Sequence, residues 1–108
     1  MKLLELVKYF RSGGSYENFC NEQLIDPDSE VVEIYMEETL DLNSNLGFFE
    51  IEKTEGASEV KNLNIKYINL FDFHYFLDSI EDSKNDVDNI LSNEKLTKLI
   101  YEYAMNDA

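Results

Sequence analysis

The sequence predicts an α+β fold, in which a small antiparallel sheet of about three strands packs against N-terminal and C-terminal helices. Apolar residues recur every three or four positions in the first eleven residues and again after residue 70, which is typical of amphipathic helices. Between these segments apolar and polar residues alternate, as in half-buried strands. The 108 residues contain no repeat and no linker rich in Gly, Pro or Ser, so residues 1–108 are expected to form one domain.

The first helix is predicted over residues 2–11. The Ser12-Gly13-Gly14 sequence ends it, because glycine readily adopts the left-handed conformation found after helices. Its apolar face consists of four residues at helical spacing, Leu3, Leu6, Val7 and Phe10.

A second, shorter helix is predicted over residues 16–24, with Ser15 as its N-cap. Phe19 is expected to face the core, with Cys20 buried beside it. The sequence Asp26-Pro27-Asp28-Ser29 then predicts a turn, because proline fixes one torsion and the short polar side chains bond to nearby backbone groups.

The stretch from Val31 to Leu42 fits either a strand or a helix. Apolar residues alternate with Glu33, Tyr35 and Glu37, as in a strand, whereas Val31, Tyr35 and Glu38 would share one face of a helix. The β-branched content favours the strand. Two further strands are predicted, one over residues 48–53 and one over residues 63–67. Short turns between three consecutive strands predict an antiparallel meander.

From residue 70 the apolar spacing is helical again. Leu70, Phe73, Leu77 and Ile80 predict a helix over residues 70–82, and residues 86–91 are expected to form a helical turn. Ser92 or Asn93 is expected to cap a final helix. The apolar face of that helix consists of Leu96, Leu99, Ile100 and Tyr103.

The chain is strongly acidic: 23 acids against nine bases give a net charge of −14 and an isoelectric point near 4.2. Eleven of the acids lie in residues 26–59, where Lys53 is the only base. Disorder does not explain this charge, because 44% of the residues are hydrophobic. The charge argues against direct binding of nucleic acid or of an anionic membrane, so any partner is expected to be basic. A lone cysteine, no signal-peptide pattern and no long apolar run are typical of a cytoplasmic protein.

Sequence motifs for catalysis or cofactor binding are weak. Gly13-Gly14 lacks the lysine of a phosphate-binding loop. Asp26, Asp28 and Glu30 have the spacing of a calcium loop, but a valine stands where that loop needs glycine. His74 lies four residues before an aspartate, a pair that fits a hydrogen bond better than a metal site. No enzyme, metal or cofactor is therefore expected.

The aromatic run over residues 71–76 cannot be buried entirely against one sheet if it is helical, so part of it fits an outward-facing interface anchor. A helix enclosed between the sheet and the last helix is the alternative interpretation. Together with the acids of residues 26–41 and the tyrosine among them, this run gives the predicted partner-binding residues: Asp26, Asp28, Glu30, Glu33, Tyr35, Glu37, Glu38, Asp41, Asp72 and Tyr75.

Three segments carry a family resemblance: Phe10-Arg11-Ser12-Gly13-Gly14-Ser15-Tyr16, Val32-Glu33-Ile34-Tyr35-Met36 and Asn69-Leu70-Phe71-Asp72-Phe73. With the length and the acidity, they resemble bacterial immunity proteins, in particular those of contact-dependent growth inhibition. In that system a small cytoplasmic protein neutralises the toxin domain of a neighbour's surface protein. The resemblance implies a 1:1 complex with a cationic toxin, a nuclease such as a ribonuclease, whose active site is covered. It implies no site residue, because immunity proteins share no residue signature.

Two other functions fit the sequence. An inhibitor that mimics nucleic acid would share the acidity, but its acids should be regularly spaced along one long face. Here they cluster in two segments, residues 26–59 and residues 71–108. A small enzyme centred on His74 and Asp78 would need a concave pocket with perturbed titrating groups.

Overall fold

The computed structural model describes residues 1–85 and 90–106 and has the predicted α+β fold, with helices packed on an antiparallel sheet. The sheet has four strands rather than about three. In chain order the elements are α1 (Leu3–Arg11), α2 (Tyr16–Glu22), β1 (Val32–Glu37), β2 (Leu46–Glu50), α3 (Ile51–Thr54), β3 (Glu59–Asn62), β4 (Ile65–Asp72), α4 (Phe73–Asn85) and α5 (Asn93–Asn106).

The two N-terminal helices confirm the sequence-based prediction. Helix α1 buries the four predicted apolar residues, and the chain leaves it through Gly13, whose φ of 96° suits glycine. The Ser15 hydroxyl accepts a hydrogen bond from the backbone N–H of Asn18 at 3.1 Å and so caps α2. Phe19 and Cys20 are buried, also as predicted.

The strand order is β2-β1-β4-β3, with every neighbouring pair antiparallel. Of the ambiguous stretch from Val31 to Leu42, residues 32–37 therefore form a strand in the middle of the sheet, and residues 38–42 lie outside it. The predicted meander is wrong, because β1 lies between β2 and β4. Since β2 and β3 occupy opposite edges, the segment over residues 51–58 connects one edge of the sheet to the other.

Several predicted boundaries differ from the structure, and in three places the type of element changes as well. The strand predicted over residues 48–53 ends at Glu50, and α3 begins at Ile51. Instead of one strand over residues 63–67, there is a hairpin whose turn residues Leu63 and Asn64 have positive φ. The helix predicted from residue 70 begins at Phe73, because β4 continues to Asp72. Most of the helical turn predicted over residues 86–91 lies outside the described residues.

The C-terminal helix begins where the sequence indicated. The hydroxyl of Ser92 accepts a hydrogen bond from the backbone N–H of Lys95 at 3.2 Å, which caps the first turn of α5. Arg11 ties α1 to this helix start, because its guanidinium donates to the carbonyl of Leu91 at 2.9 Å and to the side chain of Asn93 at 3.0 Å. None of the helices in the described ranges is long and apolar enough to cross a membrane.

The main core lies between one face of the sheet and the helices. Alternate residues of β1 point into it, where aromatic rings from α1, α2, β2 and α4 meet around Phe73. Phe73 is 1% exposed. The rings that contact it are Phe10, Tyr16, Phe19, Phe48 and Phe76, at centroid distances of 5.0–5.9 Å.

The opposite face of the sheet has a smaller aromatic cluster. Phe49 of β2 contacts Tyr35 of β1 and Tyr67 of β4, with ring centroids 5.3 and 5.1 Å apart. Gly47 makes room for it, because a Cβ there would lie 2.7 Å from a ring carbon of Tyr67. The hydroxyl of Tyr35 donates to the carbonyl of Ala57 and so attaches the connecting segment over residues 51–58 to the sheet.

Candidate partner-binding surface

Strand β1 divides the predicted acidic surface into two groups. Asp26, Asp28 and Glu30 precede the strand, whereas Glu37 ends it and Glu38 follows. Six residues of extended chain span about 17 Å from the first residue to the last. The acids of residues 26–41 therefore form two separate clusters.

The turn before β1 holds the first of these, here called the turn cluster: Asp26, Asp28, Glu30, Glu50 and Glu52. Asp26 closes the turn, because its side chain accepts from the backbone N–H of Asp28 at 2.9 Å. Its own N–H donates to the carboxylate of Glu50 at 2.9 Å, and the hydroxyl of Ser29 donates to Glu52 at 2.7 Å. The sequence did not indicate Glu50 and Glu52, because residues 48–53 were predicted to continue as a strand.

The loop after β1 holds the second group, here called the loop cluster: Glu37, Glu38 and Asp41. Glu38 has a positive φ of 66° and binds β4 through its backbone, with its N–H donating to the carbonyl of Lys66 at 2.7 Å. The side chain of Asp41 accepts from the N–H of Asn43 at 2.8 Å. Glu38 and Asp41 are exposed, and Glu37 is half-buried.

Glu33 and Asp72 lie directly opposite each other on β1 and β4, and with Tyr75 they line a cavity of about 560 Å³, here called the cleft. Glu33 is held in place by the side-chain amide of Asn69, which donates to it at 2.8 Å. Asp72 accepts from the backbone N–H of Tyr75 at 2.8 Å and so caps α4. Leu40 and Met105 add apolar surface to the cleft. Three of the ten predicted residues thus share one concave site.

The prediction that Tyr35 lies at the surface is wrong. Its side chain is fully buried between Phe49 and the connecting segment, with its hydroxyl on the carbonyl of Ala57. Aromatic residues at alternate strand positions face one side of a sheet, and here the connecting segment covers that side. Tyr75, in contrast, is half-buried, and its ring packs on that of Phe71 at 5.3 Å.

The charges of the predicted site are not neutralised within the fold. Of the salt bridges formed by the described residues, all involve other acids, namely Glu50, Glu59, Glu81 and Glu102. The eight carboxylates of the predicted site form none within residues 1–85 and 90–106: Asp26, Asp28, Glu30, Glu33, Glu37, Glu38, Asp41 and Asp72. Together they create an uncompensated negative field that attracts cations and basic proteins.

The described part of the chain contains no group of three or more His, Cys, Asp or Glu side chains placed to hold a metal ion. His74 and Asp78 are exposed on α4, and His74 does not line the cleft.

Burial raises the pKa of three neutral acids: the Cys20 thiol and the phenols of Tyr16 and Tyr67. For Tyr16, the hydrogen bond and charge of Cys20 and the charge of Glu50 add to the effect of burial. For Tyr67 the additional cause is the negative charge of Glu37 and Glu38 in the loop cluster. The fold therefore favours the protonated form of each group.

We expect alkaline pH to destabilise the protein in two stages. Because each folded pKa is raised, the stabilisation is complete below the unfolded pKa and is lost as the pH rises towards the folded pKa, at about 1.4 kcal/mol per pH unit and group. The loss should begin near the ordinary thiol pKa of 9.0 and steepen near the ordinary phenol pKa of 10.0. Urea unfolding of the wild type and of Cys20→Ala, under reducing conditions from pH 7 to 10.5, measures this. The variant should show only the second stage, and parallel profiles between pH 8.5 and 10 would contradict the assignment to Cys20.

Comparison of the chain with protein-family models, with curated proteins and with solved structures found no match. The side chains and charges described above are therefore the basis of the function proposed below.

Proposed function

We propose that this chain is an immunity protein, which binds a cognate cationic toxin domain one-to-one in the bacterial cytoplasm and neutralises it by covering its active site. The toxin would be a nuclease, and more narrowly a ribonuclease. The observation that supports this proposal is the set of eight carboxylates without an ion pair in the described chain. The family resemblance of the sequence points in the same direction.

The chemistry of a nuclease fits such a surface. A nuclease holds the phosphates of its substrate with Lys and Arg side chains, and the same side chains form charge-assisted hydrogen bonds with carboxylates. The turn cluster and the loop cluster are about 17 Å apart along β1. A standard interface covers about 800 Å² on each partner, roughly 30 Å across, so one interface is large enough for both clusters.

The cleft supplies a second type of contact. Glu33 and Asp72 place two carboxylates side by side, and Tyr75, Leu40 and Met105 place apolar surface next to them. An Arg or Lys side chain combines an apolar stem with a charged end and matches such a site. In the proposed complex the cleft receives one basic side chain of the toxin, while the two clusters contact its basic surroundings.

Co-purification with the product of the adjacent gene tests the proposal. We expect the two proteins to form a 1:1 complex, and we expect the partner alone to cleave RNA and to lose that activity when one equivalent of this chain is added. Size-exclusion chromatography with light scattering gives the stoichiometry, and a fluorogenic RNA substrate gives the activity. A partner that is acidic, is not retained or remains active when bound would refute the proposal.

His74→Ala serves as the control in this experiment, since the side chain is exposed and lies outside the cleft. We expect it to bind and inhibit as the wild type does. A variant that still binds the partner but no longer protects would favour the enzyme instead. A partner that binds nucleic acid without cleaving it would favour the nucleic-acid mimic.

A further inference from the structure

Helices α4 and α5 enclose a groove of about 510 Å³ whose two walls differ. The α5 wall is apolar and contains Leu99 and Tyr103, which are 42% and 66% exposed. The α4 wall is polar and contains Asp78 and Asp82. The groove is therefore an amphipathic surface, apolar on one side and acidic on the other.

Among the described residues that line the groove, the charged ones are Asp78 and Asp82, and both are unpaired there. Within residues 1–85 and 90–106 neither forms a hydrogen bond or an ion pair, whereas Lys84 of the same helix pairs with Glu81 at 3.6 Å. The serine hydroxyls of the wall are already used, since Ser79 donates to the carbonyl of Tyr75 and Ser83 to that of Ile80. The α4 wall thus offers two carboxylates spaced one helical turn apart.

We propose that this groove binds an amphipathic, basic helix of a partner protein. The groove follows α4 from residue 75 to residue 83, which is about 12 Å or two helical turns. A helix of two turns would place apolar side chains at positions i, i+3 and i+7 on Leu99 and Tyr103. Lys or Arg on its flank would then face Asp78 and Asp82. On the far side of Leu99 lie Lys95 and Lys98, of which Lys98 pairs with Glu102 at 4.0 Å. The charge of Lys95 repels the basic flank and so favours the orientation in which that flank faces α4.

Charge also decides between this occupant and others. A second copy of this chain would bring another −14 charges to the groove, and an anionic lipid surface would face the same repulsion. A peptide that binds by extending the edge of a β-sheet does not fit either, because both walls of the groove are helices. This inference does not depend on the toxin proposal, since the groove shares only Tyr75 with the predicted partner-binding residues.

A designed probe tests the groove. The probe is a fluorescein-labelled 14-residue helix of Leu and Lys, with Leu at i, i+3, i+4 and i+7, and a scrambled peptide of the same composition is its control. We expect Leu99→Glu to weaken binding of the probe by about tenfold or more in fluorescence anisotropy. Leu63→Glu is the matched variant, because it makes the same change at a leucine that is 87% exposed on the β3–β4 turn. The affinity of Leu63→Glu for the probe should lie within about twofold of that of the wild type.

A second pair of variants tests the acidic wall. Combining Asp78→Asn with Asp82→Asn should weaken binding of the probe and reduce the salt dependence of that binding. Both effects should be larger than those of Glu17→Gln combined with Glu22→Gln on α2. Should Leu99→Glu not fold, Leu99→Ser replaces it, since that position is partly exposed. The proposal would be overturned if Leu99→Glu and Leu63→Glu weakened binding equally, or if the scrambled peptide bound as well as the probe. It would also be overturned if, in an NMR titration with the probe, backbone amide shifts changed only in the turn cluster and the loop cluster.

Discussion

Phe73→Ala is expected to lower the free energy of unfolding by about 3–5 kcal/mol, the range found for large aromatic side chains removed from a core. The side chain is 1% exposed, and its ring contacts five other rings from three helices and one strand. Small domains have about 5–15 kcal/mol of stability in total. The variant should therefore unfold at much lower urea concentration than the wild type, as measured by circular dichroism.

Two control variants distinguish the loss of core packing at Phe73 from the effect of replacing any aromatic residue. Phe73→Leu keeps most of the volume and should cost about 1.5 kcal/mol or somewhat more. Tyr103→Ala removes an aromatic ring that is 66% exposed and should cost less than about 1 kcal/mol. If Phe73→Ala is no less stable than Tyr103→Ala, then Phe73 is not the centre of the core. If Phe73→Ala is the only variant that shows no cooperative unfolding transition in urea, this result also agrees with the expectation.

The sequence predicted α1, α2 and α5 well because their signals are local, whereas it missed α3 and placed the start of α4 too early. The period of α1 and the caps at Ser15 and Ser92 depend on residues within one or two helical turns, and the structure confirms them. The order of the strands depends on contacts between distant segments. No local pattern shows that β1 pairs with both β2 and β4, so the predicted meander was wrong.

The β3–β4 hairpin illustrates a second reason for a wrong prediction. Its turn residues, Leu63 and Asn64, have φ of 52° and 67°, a conformation that normally requires Gly or Asn at both positions. Because leucine is not typical of the first position of such a turn, the sequence does not predict the turn. In the same way β4 continues to Asp72, because pairing with β1 outweighs the helical spacing that Leu70 and Phe73 suggest.

The sequence predicted which acids belong to the acidic surface but not how they are arranged in the fold. Acids close in sequence were expected to form one surface, yet β1 separates them into the turn cluster and the loop cluster. Folding also brings together Glu33 and Asp72, which are far apart in sequence. Several of these side chains accept hydrogen bonds within the fold, so their loss would affect folding as well as binding: Asp26, Glu33, Glu38, Asp41, Glu50, Glu52 and Asp72.

Asp28 and Glu30 give the cleanest test of the acidic surface. Both are exposed, and their carboxylates form no hydrogen bond or ion pair within the described residues. Replacing both with lysine changes the charge of the turn cluster by four units without breaking a contact of the fold. We expect affinity for the proposed basic toxin to fall by about 10- to 100-fold at low salt, largely through slower association. Surface plasmon resonance at two salt concentrations measures both rates, and the difference from wild type should shrink at high salt because exposed charges are screened.

Glu17→Lys combined with Glu94→Lys is the matched control, since it makes the same change in net charge at exposed positions at the starts of α2 and α5. An interface at the turn cluster requires the first pair to weaken binding much more than the second. Equal losses would mean that the partner responds to net charge alone, because long-range attraction depends on the sum of charges whereas contact depends on their position. Unchanged affinity in both pairs would remove the turn cluster from the proposed interface and leave the cleft and the loop cluster as the surfaces proposed to bind the toxin.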